Sequence, residues 1–108
     1  METINFEDFK KIEIRIGKVV EASKVPGADK LLRILVDFGD EKRQILTAMA
    51  EHLTPEHFVG KQIPILVNIP VRKMRGFESQ GMVVAADLDG KPVLLHPEKE
   101  VPNGTNVI

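Results

Sequence analysis

The sequence contains no cysteine, tryptophan or tyrosine. Without cysteine there are no disulfides, no thiolate zinc ligands and no cysteine nucleophile. Without tryptophan or tyrosine, stacking on a planar ligand falls to the five phenylalanines or to arginine planes. No apolar run approaches the roughly 18 residues of a membrane-spanning helix. The acidic opening, Met1 to Asp8, lacks the basic-then-apolar layout of a signal peptide. The expectation is a cytoplasmic chain with no membrane association. An excess of charge of either sign is also missing: 15 basic residues face 16 acidic ones. That excludes a protein that binds polyanions over its whole surface.

What is present is an ordinary globular composition, 43% hydrophobic and 29% charged over 108 residues. This length suits one domain and leaves no room for a second core. Charge is unevenly distributed along it. Residues 61–84 carry four basic groups and one acid, whereas the rest of the chain is net negative. The local excess lies mostly in Arg72, Lys73 and Arg75.

Asn5 is a plausible N-cap for a short helical turn that would pack Phe6 and Phe9 inward. Ile12-Glu13-Ile14-Arg15-Ile16 alternates strictly and predicts a half-buried first strand. Gly17 suggests a bulge or bend in it, and Val19-Val20 continue it. Residues 23–29 read as a turn around Pro26-Gly27. A second strand over 31–38, a turn at 39–41 and a third strand over 43–50 follow. Thr54-Pro55-Glu56 opens a short helix that Gly60 stops. A fourth strand spans 62–68, a long charged connection 69–80, a fifth strand 81–87 and a short sixth 91–95. The tail, 96–108, reads as irregular.

Three strands, one short helix and then two or three strands predict an all-β OB-fold. This is a five-stranded Greek-key barrel, with its helix between the third and fourth strands and short extensions at both ends. Its ligand face is framed by the loop between strands one and two and the loop between strands four and five, here residues 23–29 and 69–80. The second of these holds the basic cluster. Fold topology and charge placement thus converge on one surface.

On that surface Arg72, Lys73 and Arg75 would meet phosphates, and Phe77 would stack on a base or sugar. Asn68 and Ser79 bracket the loop and would either contact the ligand or cap loop backbone. Lys30 and Arg33 would extend the positive surface, whereas Lys42 reads as a turn charge paired with neighbouring acids. Catalytic readings fail on spacing. In Gly76-Phe77-Glu78-Ser79-Gln80-Gly81 the first glycine lies three residues before the serine, and a strand follows where a nucleophile elbow needs a helix. His52 and His57 are five residues apart and fit no zinc-ligand spacing on a helix. No enzyme activity, cofactor or metal is expected.

Longer stretches carry a resemblance. They include Phe-Lys-Lys-Ile-Glu-Ile-Arg-Ile-Gly-Lys-Val-Val-Glu-Ala from Phe9, Ala28-Asp29-Lys30-Leu31-Leu32, Arg72-Lys73-Met74-Arg75-Gly76 and Glu78-Ser79-Gln80-Gly81-Met82. From about Phe6 to Ala86 the chain resembles the tRNA-binding domain family. That family occurs at the carboxyl end of methionyl-tRNA synthetases, in free-standing tRNA-binding proteins and in CsaA secretion chaperones. The resemblance implies shape-specific tRNA binding without catalysis. It also implies a homodimer whose interface uses the terminal segments 1–11 and 96–108, and methionyl-tRNA synthetase as a possible partner. RNA contacts would fall to Lys30, Asn68, Arg72, Lys73, Arg75, Ser79 and Met82. The alternative is a CsaA-like chaperone that holds unfolded polypeptide on an adaptable surface supplied by Met49, Met74 and Met82. Two positions depart from the family pattern. Ala48 stands in place of a usual glycine, and Val71 in place of a usual proline.

Overall fold

In the computed structural model, which describes residues 1–108, the isoleucine alternation opens a 12-residue strand, β1 (Ile14–Val25). Its first half pairs antiparallel with β4 (Gln62–Leu66), and from Lys18 onward it pairs with β2 (Ala28–Asp37). β2 in turn pairs with β3 (Lys42–Thr47). Beyond β4 come a hairpin, β5 (Arg72–Met74) with β6 (Phe77–Ser79), then β7 (Met82–Val83), which pairs with β4. A last hairpin joins β8 (Ala85–Leu88) to β9 (Lys91–Leu94). The main sheet runs β3-β2-β1-β4-β7.

Closure comes from the short segment between β6 and β7. Its Gln80 N–H donates to the Gln44 carbonyl on β3 at 2.8 Å, and two residues later Met82 sits opposite Leu66 on β4. One short stretch of chain therefore bridges the two open edges. The result is the predicted all-β OB barrel with a short helical turn between the third and fourth strands. That turn is a 3-10 helix, Pro55–His57. The Thr54 N–H donates to His57 Nδ1 at 2.9 Å, so histidine takes the return position of a capping box.

The core is aliphatic. Val19, Leu32, Ile34, Ile45, Ile63 and Ile65 meet inside the barrel, joined by the fully buried Phe58. Each such burial is worth about 1.5–3 kcal/mol. Register decides which residues reach the core. β1 has a bulge at Val20, because Val19 opposes Val36 but Glu21 opposes Leu35. The extra residue turns Glu21 outward and Ala22 inward. Without it the glutamate would face the core.

The structure corrects several expectations. Gly17 makes no bulge. It pairs regularly with Ile63, and its bare Cα makes room for β2: a Cβ there would lie 2.3 Å from Val36 Cγ1 and 2.9 Å from Phe38 Cε1. The turn expected over 23–29 shrinks to Pro26-Gly27, because strand pairing continues to Val25 opposite Ala28. Charged residues 69–80 form a hairpin instead of an open loop. The fifth strand breaks at Val84 into β7 and β8. α1 (Phe6–Phe9) has its Asn5 cap, but Phe6 and Phe9 point outward, 68% and 49% exposed, because no element covers a four-residue helix lying outside the barrel.

The tail is ordered by pairing with β1. The Ile16 N–H donates to the Thr105 carbonyl at 2.8 Å and the Val107 N–H to the Ile14 carbonyl at 2.9 Å. Gln62 clasps it from β4, its Nε2 donating to the Val101 carbonyl at 2.6 Å and its Oε1 accepting from the Val101 N–H at 3.1 Å. The tail thus fills the edge of β1 that β2 leaves open.

Gly17→Ala is expected to lower stability by about 1–3 kcal/mol through overpacking against Val36 and Phe38. Gly90→Ala, with nothing within 4 Å of the new Cβ, serves as the control, although its φ of +85° adds some backbone strain. Urea denaturation measures both, and an unchanged midpoint for Gly17→Ala would contradict the packing role.

Candidate nucleic-acid interface

The basic hairpin owes its shape to its turn. Arg75 and Gly76 both have positive φ, 52° and 85°, as in the primed turns that match strand twist. A left-handed arginine costs about 1 kcal/mol or more. It also puts Arg75 at the apex. Alternation along β5 sends Arg72 and Met74 to one face and Lys73 to the other. Met74 packs on Val25, Ala28 and Leu46, so the hairpin is seated on the tip of the β1–β2 hairpin. The two segments expected to frame the ligand face are in contact.

Arg72, Lys73 and Arg75 are exposed, and none forms an ion pair. Lys73 faces Glu78 across the hairpin, and Phe77 opposes Met74 at the half-exposed end. Lys30 lies nearby on a bulged part of β2. Its ammonium is 3.9 Å from Glu51, and its carbonyl accepts from the Ala50 N–H at 3.1 Å. Met82 is 40% exposed beside the hairpin. These residues share one side of the barrel.

Three candidates are committed to holding the chain together. Ser79 is 1% exposed: its hydroxyl accepts from the Leu46 N–H and donates to the Gly81 carbonyl, both at 3.0 Å. It is a positioning residue with no free face for RNA. Asn68 ties β4 to the start of β1, Oδ1 accepting from the Glu13 N–H at 2.8 Å and Nδ2 donating to the Lys11 carbonyl. Its side-chain groups are used in capping backbone. Arg33 is half-buried, and its guanidinium donates to Gln44 Oε1. Of the two expected roles, Asn68 and Ser79 thus take the capping of backbone.

Sequence reasoning missed the residues that anchor the hairpin. Gln44 Nε2 donates to the Glu78 carbonyl at 2.8 Å, and the Gln44 N–H donates to Gln80 Oε1 at 2.9 Å. Arg43 donates to the Val67 carbonyl at 2.7 Å and the Gln80 carbonyl at 3.2 Å. Its hydrogen bond to Glu41 holds that carboxyl below the ordinary range. Lys42, expected to pair with acids, pairs with none. No local motif marks these roles, because each depends on a strand more than twenty residues away.

Beside the hairpin lies a groove of about 570 Å³. Thr47, Ala48 and Met49 form one wall, Arg72, Met74 and Met82 another. Ala48 is exposed on that wall, so its Cβ meets no neighbouring strand.

Residues 14–106 match a family described as the putative tRNA binding domain. The chain belongs to that family. It is 51% identical over 106 residues to the methionine–tRNA ligase of Archaeoglobus fulgidus, covering 98% of this chain and 16% of the ligase. It is 48% identical to that of Parabacteroides distasonis over the same shares. The chain thus spans about a sixth of these relatives. Among solved structures it is similar to a MetRS-related protein from Pyrococcus horikoshii, with TM-score 0.95, 38% identity and all of both chains covered. It is also similar to the chaperone CsaA of Bacillus anthracis, with TM-score 0.88 and 35% identity over 99% of this chain and all of the other. No helix is long and apolar enough to cross a membrane.

Ser79→Ala is expected to destabilise this tRNA-binding domain by about 1–3 kcal/mol, because the buried Leu46 N–H loses its acceptor. Thermal denaturation reads it directly. Unchanged stability would contradict the structural role assigned to the Ser79 hydroxyl.

Proposed function

We propose that this chain binds tRNA without catalysis, recognising shape over sequence. It would work in the cytoplasm, free-standing or as an appended or associated module of methionyl-tRNA synthetase. The observation that carries this reading is the unpaired cation set Arg72, Lys73 and Arg75, lifted on a hairpin seated on the barrel. Family membership and the ligase relatives support it. Phosphates would be neutralised at those three residues and at Lys30, and Phe77 would add a stacking edge. Arg33 and Ser79 act by holding the hairpin. With so few cations, affinity is modest and falls with salt.

We also propose a homodimer. Ile4, Phe6, Phe9 and Ile12 are exposed, and the groove between residues 10–14 and 106–108 brings both termini onto one surface. A second copy would cover these side chains and double the cationic surface, so one tRNA is gripped twice. Sedimentation at micromolar concentration should give twice the mass of one chain; a monomer would refute the dimer.

A second reading, a chaperone for unfolded polypeptide, is favoured by one observation. Three of the four methionines line the same groove, and the fold is similar to CsaA. The free cations favour RNA, since an apolar peptide leaves them unused.

Replacing Arg72, Lys73 and Arg75 together by alanine should weaken tRNA binding and flatten its log–log salt slope by about 2–3. Circular dichroism should be unchanged. Unaltered affinity and slope would remove the proposal.

A further inference from the structure

The methionine groove has a chemical asymmetry that narrows what fills it. Met49, Met74 and Met82 reach it from three separate segments and supply a soft, adaptable apolar surface. Arg72 lines the same groove, and so do the carboxylates of Glu51 and Asp87 and the imidazole of His52. Its volume of about 570 Å³ falls in the range of small-molecule sites. It is too confined to admit a double helix.

We infer that this groove receives one unstacked nucleotide of the bound RNA. The inference rests on the tRNA-binding reading and assigns that reading a specific pocket. The base lies against the methionine thioethers, which take the place of the absent tyrosine and tryptophan platforms. Its phosphate meets Arg72, which lies on β5 beside the free cations of the hairpin. Its polar edge meets Glu51 or Asp87. A carboxylate only accepts hydrogen bonds, so it selects an edge that carries N–H donors. Cytosine presents an exocyclic amine there, and uracil presents a carbonyl in the same place. The groove therefore prefers an amine-bearing base to uracil. An apolar peptide side chain would satisfy the methionines but leave Arg72 without a partner. Glu51 already lies 3.9 Å from the Lys30 ammonium and Asp87 Oδ1 accepts from the Gly90 N–H at 2.7 Å, so a base edge would use their remaining lone pairs.

The test uses the full chain with 13C-methyl-labelled methionine, each signal assigned by single replacement with leucine. Titration with unmodified tRNA transcript should shift the methyl signals of Met49, Met74 and Met82 and leave Met1 in place. Cytidine monophosphate should then bind the groove at least about threefold tighter than uridine monophosphate. Asp87→Asn and Glu51→Gln together should abolish that preference. If tRNA binds while the three methyls stay still, the base pocket is overturned and tRNA binding stands. Equal binding of the two nucleotides overturns the carboxylate selection. If tRNA does not bind at all, the tRNA-binding reading fails and the pocket goes with it. Methyl shifts with an unfolded apolar peptide but not with tRNA assign the groove to polypeptide.

Discussion

The structure depends on how the barrel is closed. β3 and β4 are its two open edges, and only residues 78–83 lie between them. On the β3 side this segment is held largely by side chains. Gln44 Nε2 donates to the Glu78 carbonyl, Gln80 Oε1 accepts from the Gln44 N–H, Ser79 takes the buried N–H of Leu46, and Arg43 reaches the carbonyls of Val67 and Gln80. A buried donor left without its acceptor costs more than an ordinary hydrogen bond contributes. The closure is therefore specified polar group by polar group. The same residues fix the basic hairpin, which enters and leaves through this seam. Stability and the candidate site share one set of hydrogen bonds.

Much of the fold is legible from local pattern, and the failures are instructive. Ile14-Arg15-Ile16 announces a strand because alternation is a local property, and Thr54-Pro55 announces a helical turn because capping is local too. The bulge at Val20 is not legible, since Val19-Val20 does not say which valine is the extra one. Gly17 looks like a bend, but its role is set by Val36 and Phe38 on the next strand. The tail lacks alternation because its pairing with Ile14 and Ile16 is made through backbone alone.

The site divides in the same way. The cations of the hairpin are visible as a run in sequence, and their exposure follows from a hairpin that leaves the barrel. Ser79 and Asn68 look like ligand groups by residue type, yet the folded chain spends their polar atoms on its own backbone. The groove is invisible in sequence because its walls come from segments near residues 47–52, 72–74 and 82–92. Hairpin and groove together bring exposed cations next to a lining that includes three methionines, Glu51 and Asp87.

The most direct measurement is a titration of end-labelled tRNA with the full chain at low and physiological salt, with an RNA hairpin of matched length as control. The expected result is tighter binding of tRNA than of the hairpin, weakening as salt rises. Absence of binding at low salt, or equal affinity for both RNAs, would contradict shape-based recognition through this surface.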